Sequence, residues 1–428
     1  MARIRPFAAW RYASDSIDIS ALVAPPYDVI SPEQRADLLA RDSHNAVALE
    51  LPGGSTDPGA LDSRYATARA IWDDWRAQGI LRLDALDAVY VLEQAFELDG
   101  RRVNRKAFIV EVGLEPFSAQ VVLPHERTLP KALGDRFELI KATQANFSQV
   151  FGLFEDPDGN ALDLFAAVGD APVVASATDD AGVESTLRSC TDAALIARLQ
   201  ELMADRRIFI ADGHHRYTTA LANRDAIHAL RGPSTDEPHD FVMMALVSMS
   251  DPDLIVLPTH RVADAAIEFD RAGFLGALAE SFDLTILDLA EATAALSAAT
   301  RPAFIVRCAG DDTTWLAELS ADVDLEQTMP SGASAAWRGL DVAVLQEMVL
   351  SPLLDIHPDR PATLDRLTFA KDTVAAFDAT REHDVAFILR STGMQDLADV
   401  ALSGETMPQK STYFYPKLLT GLLFRSTE

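Results

Sequence analysis

The feature that most constrains the fold is an abrupt change of sequence pattern at residue 208. Ile208-Phe209-Ile210-Ala211 is an apolar run typical of a short buried strand, and Asp212-Gly213 after it is typical of a turn. A helix is then predicted from His214 to the neighbourhood of Gly232-Pro233. Because a strand that passes through a glycine directly into a helix brings unpaired helix N–H groups to the strand end, this segment predicts an anion site.

The remaining sequence also alternates between strand and helix patterns, which predicts an α+β fold. Residues 89–92 and 106–110 are β-like runs separated by Asp99-Gly100, a dipeptide that suits a tight turn, and they predict a β-hairpin. Residues 243–247 and 254–257 predict a second hairpin.

The chain length of 428 residues is too great for one ordinary hydrophobic core, so we expect more than one subdomain. We predict a main α+β domain over residues 1–265, in which the strand-turn-helix segment occupies residues 208–231. A smaller α+β subdomain is predicted over residues 266–400, and residues 401–428 are expected to pack back on the main domain. Residues 162–206 are predicted to be mostly helical and to act as a linking segment.

Charge and composition exclude several classes of protein. The formal net charge of −28 argues against binding to nucleic acid or to an anionic membrane, because both depend on Lys and Arg that neutralise phosphates. Two cysteines are too few for a disulfide framework, which favours a reducing compartment. The sequence has no secretory signal pattern and no long uncharged apolar run, so a cytoplasmic protein is predicted.

The strongest candidate site is the turn that contains Asp212, Gly213, His214, His215 and Arg216. Backbone N–H groups and the positive end of the helix dipole would hold a phosphate or a carboxylate there, and the two histidines and the arginine would add donors. The aspartate could act as a helix N-cap, a metal ligand or a base. The structural alternative is that the aspartate only caps the helix and that the cationic side chains are solvated.

A second candidate lies in a loop bounded by prolines, where His125 and Glu126 are followed by Lys131 and Arg136. Catalytic residues are often carried by such loops. Glu126 could serve as a general base or as a magnesium ligand. The alternative is a loop whose charges pair among themselves.

Three further positions are weaker candidates. His260 follows the second predicted hairpin and either approaches His214 or has a structural role. Asp28, after two prolines, could contribute a carboxylate, although a structural role is favoured. Lys410 and Lys417 lie on an aromatic C-terminal segment, where a mobile ammonium suits a phosphate. Only six of the 37 cationic residues are lysines, and four of these lie in or beside the candidate segments: Lys131, Lys141, Lys410 and Lys417.

The cofactor signals point to magnesium and a nucleotide rather than to other groups. No His-x-x-x-His pair favours zinc, whereas Mg²⁺ held by one or two carboxylates, with Asp212 and Glu126 as the candidates, and a substrate phosphate would fit. The sequence lacks the P-loop, the Gly-x-Gly-x-x-Gly fingerprint and the nucleophile elbow, and it gives no signal for NAD, flavin or haem.

The chain resembles the bacterial and archaeal family of unknown function catalogued as DUF1015. The similar segments span nearly the whole chain in order: Arg5-Pro6-Phe7, Pro25-Pro26-Tyr27-Asp28, Pro124-His125-Glu126-Arg127-Thr128, Asp212-Gly213-His214-His215-Arg216, Pro258-Thr259-His260-Arg261 and Pro408-Gln409-Lys410-Ser411-Thr412.

The Asp-Gly-His-His-Arg turn is also similar to the phosphate-binding turn of the ParB/sulfiredoxin-like superfamily, which implies a core of that fold. That superfamily includes partition proteins, sulfiredoxin and a nucleotide-dependent free-serine kinase. By this resemblance, Gly213, His214, His215 and Arg216 would bind phosphate, and Asp212 would orient the substrate or a metal. The cysteine of sulfiredoxin has no counterpart here, and the charge of −28 counts against a DNA-partitioning role.

The function predicted from these features is phosphoryl transfer, or phosphatase action, on a small phosphorylated metabolite, with serine and phosphoserine favoured and ATP or ADP as the nucleotide. Lys131, Arg136, Lys410 and Lys417 would neutralise phosphate charge. Glu126 or Asp212 would activate the hydroxyl or water, or else His214 or His215 would attack phosphorus, with His125 nearby. The alternative is a non-catalytic nucleotide-binding regulator.

Overall fold

A computed structural model describes residues 2–13, 16–53, 61–126, 130–265, 269–380 and 384–428. The chain forms two compact units. The first comprises Met1–Pro124, Thr128–Ile255 and Pro416–Glu428, and the second comprises His125–Arg127 and Val256–Tyr415. The C-terminal segment is therefore divided between the units at residue 415, and neither unit boundary coincides with the residues 265 and 400 expected from the sequence.

The described strands are β1 (Ile4–Arg5), β2 (Trp10–Tyr12), β3 (Leu81–Leu83), β4 (Val89–Leu98), β5 (Arg101–Gly113), β6 (Val122–Leu123), β7 (Ala145–Asn146), β8 (Val150–Phe154), β9 (Val173–Thr178), β10 (Glu184–Cys190), β11 (Ile208–Asp212), β12 (Phe241–Ser248), β13 (Ile255–Leu257), β14 (His260–Asp264), β15 (Phe282–Leu287), β16 (Ala303–Cys308), β17 (Thr314–Leu319), β18 (Leu367–Ala370), β19 (Asp384–Ile388), β20 (Tyr413–Tyr415) and β21 (Arg425–Ser426).

The described α-helices are α1 (Pro32–Arg41), α2 (Val47–Glu50), α3 (Leu61–Ala77), α4 (Pro130–Thr143), α5 (Asn160–Ala167), α6 (Ala193–Ala204), α7 (His214–Arg231), α8 (Arg271–Leu278), α9 (Leu289–Ala298), α10 (Leu325–Thr328), α11 (Ala335–Arg338), α12 (Asp341–Leu345), α13 (Ser351–Leu354), α14 (Pro361–Leu364), α15 (Thr373–Asp378) and α16 (Met394–Leu402). Within the described part of the chain, every helix is too short or too polar to cross a membrane.

The first unit is built on a mixed sheet. Among the described residues its strands follow the order β6-β11-β8-β12-β5-β4-β10-β9, with β1 paired to β5. The hairpin predicted around Asp99-Gly100 is confirmed: β4 and β5 are antiparallel neighbours, and both turn residues have positive φ. Residues from α5, α6 and α7 pack with β5, β8, β11 and β12 in one hydrophobic cluster.

Two sequence expectations are wrong in this unit. The second hairpin does not form, because β12 pairs with β5 and β8, whereas β13 pairs with β20. Residues 162–206 are not mostly helical, since β9 and β10 form an antiparallel pair at the edge of the sheet. Both errors have the same cause: local sequence pattern does not identify a strand's partner, which is set by tertiary packing.

The second unit contains a sheet of antiparallel strands in the order β15-β17-β16-β19-β14-β18. Side chains from α9 and α15 join those of the sheet in its core, which includes Ala292, Leu296 and Ala376. Both units therefore combine helices with a sheet, and the predicted α+β class is confirmed.

Close packing across the central strands of the first unit predicts that Gly152 cannot be enlarged. A Cβ atom at this position in β8 would lie 2.8 Å from Ile208 Cγ2 and 2.9 Å from Met244 Cε. Because these neighbours are fully buried in a packed core, Gly152→Ala should lower the free energy of unfolding by about 1–3 kcal/mol, as measured by urea denaturation.

The matched control is Gly134→Ala in the exposed part of α4, where a Cβ atom would meet nothing within 4 Å. Alanine is the better helix former, so this variant should be as stable as the unaltered protein or more stable by up to about 1 kcal/mol. Equal stability of the two variants would contradict the packing argument.

Candidate functional site

The strand-turn-helix predicted from the sequence is confirmed in the first unit. β11 ends at Asp212 and α7 begins at His214. Gly213 joins them with φ of +88°, in the left-handed region that favours glycine. A Cβ atom on Gly213 would lie 2.8 Å from Nε and 2.9 Å from Nη2 of Arg216, so the glycine also makes room for the guanidinium across the turn.

The Asp212 carboxylate lies between two cations. Lys417 Nζ donates a hydrogen bond of 2.6 Å to Oδ2, and Arg216 Nη2 lies 3.5 Å from Oδ1. Burial by itself raises the pKa of Asp212, but the charges of Lys417 and Arg216 outweigh burial and hold this pKa well below its usual value. The aspartate therefore stays ionised and is a weak base.

The backbone around Lys417 is fixed by polar side chains of the sheet. Carbonyl groups of residues 416, 417 and 419 accept hydrogen bonds from Arg105 Nη2 at 2.6 Å, Gln94 Nε2 at 3.2 Å and Gln149 Nε2 at 3.1 Å, respectively. All three donor side chains are almost completely buried. Burial lowers the pKa of Arg105 to about 9, against the opposing charges of Asp251 and Asp212. This clamp carries Lys417 to the end of β11.

Arg216 is a largely buried guanidinium with donor capacity to spare. Its Nη1 donates to the carbonyl of Gln149 at 2.5 Å, and its long contact with Asp212 is the ion pair given above. Its Nε is buried and has no hydrogen-bond partner among the described residues, and the same holds for Oε1 of Gln149. Because a buried unsatisfied donor is costly, Arg216 Nε marks a position where an acceptor group of a ligand would be stabilised.

His214 and His215 differ in their surroundings. His214 is buried and interacts electrostatically with Asp212. Burial lowers the pKa of His215; the charge of Asp28 opposes this effect, and the charge of Arg216 adds to it. His215 is therefore neutral at pH 7, with Asp28 near enough to influence its charge.

Arg136 is near the same turn but has its own acidic partners. Its Nη1 donates to Glu50 Oε2 at 2.8 Å, and its Nη2 donates to Asp135 Oδ2 at 2.5 Å. The guanidinium also lies 4.2 Å from the ring centre of Tyr27. Because two carboxylates already balance its charge, Arg136 supports the wall of the site rather than offering a free charge to phosphate.

The second unit holds the other predicted group. Nε2 of the buried His125 lies 2.9 Å from Thr412 Oγ1, and its carbonyl accepts from the Met407 N–H at 2.8 Å. Glu126 Oε1 accepts from the Lys410 N–H at 3.1 Å. Lys410 Nζ lies 5.2 Å from the ring centre of Phe369. His125, Glu126 and Lys410 are thus brought together within this unit.

Arg261 and His260 lie on β14 of the same unit and are both buried. Arg261 donates to the carbonyls of Gln409 and Lys410, and burial lowers its pKa to about 10 in spite of the opposing charge of Glu126. His260 accepts a hydrogen bond of 3.2 Å from the Leu389 N–H at Nδ1, and burial lowers its pKa to about 4. A neutral histidine that accepts a backbone N–H has the structural role that was its alternative.

The predicted site residues are thus divided between the units. The first unit contains Asp28, Arg136, Asp212, Gly213, His214, His215, Arg216 and Lys417, and the second contains His125, Glu126, His260 and Lys410. The side chain of Lys131 lies outside the described residues.

The sequence analysis did not identify the supporting residues Gln94, Arg105, Gln149 and Arg261. Arg105 could have been found, because it is a charged residue at an inward-facing position of β5, where the burial pattern alternates. The two glutamines gave no such signal, since their role depends on a C-terminal segment more than 260 residues away.

Comparison with known proteins identifies one family. The family described as "Protein of unknown function (DUF1015)" matches residues 4–343. No curated protein matches the sequence.

Solved structures with a similar fold include a free serine kinase in complex with ADP, with 11% identity, a TM-score of 0.36, and coverage of 72% of this chain and 87% of that chain. A conserved hypothetical protein from Pyrococcus furiosus has 12% identity and a TM-score of 0.35, with 73% and 92% of the two chains covered. SbnI with a C-terminal truncation, from Staphylococcus aureus, has 12% identity and a TM-score of 0.36, with 74% and 86% covered. Similarity at this level assigns no activity.

The ion pair between Lys417 and Asp212 predicts a pH-dependent loss of stability. Lys417→Met leaves a largely buried carboxylate with one distant cation, so it should lower the free energy of unfolding by about 3 kcal/mol at pH 7. Because the folded-state pKa of Asp212 is depressed, the contribution of the pair is present above the ordinary aspartate pKa of about 3.9 and is lost as the pH falls further.

Urea denaturation of the two proteins between pH 7 and pH 3 would measure this difference. The control is Lys141→Met, which removes an exposed pair with Glu138 and should change stability by less than about 1 kcal/mol. A stability difference for Lys417→Met that is small, or that does not shrink in acid, would contradict the assignment.

The buried His260 predicts a second acid-dependent effect. Its folded-state pKa of about 4 lies below the ordinary histidine value of about 6.5, so its contribution is complete above pH 6.5 and declines as the pH falls toward 4. Replacement by glutamine, His260→Gln, keeps an acceptor for the Leu389 N–H but removes the titration. The variant should lose less stability than the unaltered protein between pH 6.5 and pH 4, as measured by thermal unfolding; parallel pH profiles would contradict this.

Proposed function

The chain belongs to the DUF1015 family, and we propose that its first unit binds the phosphate of a nucleotide or of a small phosphorylated metabolite at the turn between β11 and α7 and catalyses phosphoryl transfer there. Serine and phosphoserine are the favoured pair of acceptor and product. This preference rests on the resemblance of the Asp-Gly-His-His-Arg turn to that of the ParB/sulfiredoxin-like superfamily.

The observation that carries the proposal is the position of Arg216. It lies in the first turn of an 18-residue helix, over a glycine, with a buried Nε that has no partner among the described residues. The N-terminal end of a helix favours negative charge, and a guanidinium recognises phosphate oxygens through its planar array of donors. These two features together select a phosphate over a neutral ligand.

Asp212 and Lys417 have supporting roles in this proposal. The ionised Asp212 holds the ammonium of Lys417 and orients Arg216, so that two cations lie beside the phosphate position. Both carboxylate oxygens face these cations, so we do not assign Asp212 as a metal ligand; Mg²⁺ would enter with the nucleotide phosphates that it prefers. The roles of Glu126 and Lys410 in the second unit stay predictions.

His215 is the proposed proton acceptor. It is neutral at pH 7, and the charge of Asp28 would stabilise its protonated form. The hydroxyl oxygen of serine forms a bond to the terminal phosphorus of the nucleotide as its proton passes to His215. The bond from that phosphorus to the bridging oxygen breaks, and the shortened nucleotide leaves with the electron pair. Positioned cations stabilise the charge that develops in such a step.

Turnover by the purified full-length chain tests this function. The protein is incubated with serine, Mg²⁺ and either ATP or ADP, and phosphoserine is measured by ³¹P NMR; phosphate release from phosphoserine is followed in parallel. Arg216→Lys keeps the charge but loses the planar donors, so kcat/KM should fall by about 100-fold. Protonation of His215 should lower the rate only below the ordinary histidine pKa of about 6.5, since its folded-state pKa is reduced.

The matched control is Arg224→Lys, which alters another largely buried arginine of α7 that donates to the carbonyl of Leu114. Its turnover should be unchanged. Equal turnover of Arg216→Lys and the unaltered protein would refute the mechanism. Nucleotide binding that depends on Arg216 but occurs without any turnover would instead support the non-catalytic regulator.

A further inference from the structure

A second cluster of polar side chains lies at the other end of α7. His228 is in the last turn of this helix, and His239 and Asp240 lie in the 3-10 helix Pro238–Asp240 that precedes β12. One nitrogen of each histidine and one oxygen of the aspartate all lie within 4.8 Å of one another. His214 begins the same helix fourteen residues earlier, which at 1.5 Å per residue places this cluster about 20 Å from the phosphate turn.

The three groups converge on a common point. His228 Nε2 lies 2.7 Å from Asp240 Oδ1. The hydroxyl of Ser234 lies 3.2 Å from Nε2 of each histidine and 2.7 Å from Asp240 Oδ2. Both imidazoles therefore direct Nε2, the atom that most often binds a metal, toward the same space as the carboxylate.

The carboxylate of Asp240 is already oriented for such a role. Its Oδ2 accepts hydrogen bonds from the Ser234 hydroxyl and from the Glu237 N–H, the latter at 2.9 Å. These two bonds leave Oδ1 directed at His228. Outer hydrogen bonds of this kind fix the orientation of carboxylates that bind metals. The side chain of Asp240 is only 3% exposed, so its position is well determined by its surroundings.

We propose that His228, His239 and Asp240 form a binding site for a divalent metal ion of borderline softness, with Zn²⁺ as the ion that fits best. The ligands are Nε2 of each histidine and Oδ1 of the aspartate, with a fourth position open to water. Two imidazoles and one carboxylate are a ligand set that zinc uses, whereas Mg²⁺ and Ca²⁺ prefer oxygen ligands alone. The net charge of −28 also raises the local concentration of cations.

The bound ion would tie the C-terminal end of α7 to the turn that leads into β12. β12 is a central strand of the first unit, flanked by β5 and β8. Zinc binding would therefore stabilise the folded chain, because an ion that binds only the folded state shifts unfolding by mass action. The competing interpretation is a hydrogen-bond network among the same four side chains that needs no ion.

The experiment uses the full-length chain without a polyhistidine tag, freed of metal by a chelator and then dialysed. Titration with ZnCl₂ is followed by calorimetry and thermal unfolding. We expect saturable binding of one ion per chain and a higher unfolding temperature, with no such effect of MgCl₂. His239→Gln and His228→Gln should each weaken zinc binding by more than about 100-fold, since removing a ligand costs at least as much as removing an outer partner.

The control is His44→Gln, which changes a partly exposed histidine beside Asp42 and should keep the affinity for zinc. Circular dichroism establishes that each variant is folded, and Co²⁺ bound to the unaltered protein should give visible absorption that is lost in the variants of His228 and His239. Absence of saturable binding, or equal zinc affinity in the three variants, would refute the site and leave the hydrogen-bond network as its explanation.

Discussion

The ion pair between Asp212 and Lys417 is the interaction on which the candidate site of the first unit depends. It joins residues 205 positions apart in the sequence and fixes the C-terminal segment to the end of β11. Neither partner would be stable alone in this position, because a largely buried charge without a counter-ion is costly. The buried side chains of Gln94, Arg105 and Gln149 hold the backbone on each side of the lysine, so the ammonium is placed by the sheet itself.

The same pair explains how an acidic protein can offer a cationic site. The net charge of −28 is spread over a chain in which acidic residues outnumber basic ones, yet Lys417 and Arg216 share the single carboxylate of Asp212 at the turn. Arg136 shows the contrasting arrangement, since Glu50 and Asp135 both pair with it. Position near a helix N-terminus and spare donors, rather than the number of nearby cations, therefore distinguish Arg216 as the group suited to an anion.

Local pattern predicted the strand-turn-helix and the first hairpin because both are determined by neighbours in sequence: an apolar run, a glycine at positive φ, and an Asp-Gly turn. Pairing between distant segments was not predictable in this way. The sequence showed that β12 is a strand, but only the folded sheet places it between β5 and β8. Lys417 was selected because lysines are rare in the chain, whereas its partner Asp212 could not be identified without the clamp that carries it there.

The turn also separates two titratable groups by their environments. Asp212 and His215 are three residues apart, and the pKa of each is reduced, but the consequences are opposite. Cations keep the aspartate charged, so it cannot accept a proton near neutral pH. Burial keeps the histidine neutral, so it can accept one. Pairs of groups whose environments assign them different protonation states are how one site supplies both fixed charge and proton transfer. The charge that holds Lys417 and the base that accepts a proton are therefore carried by different side chains of one helical turn.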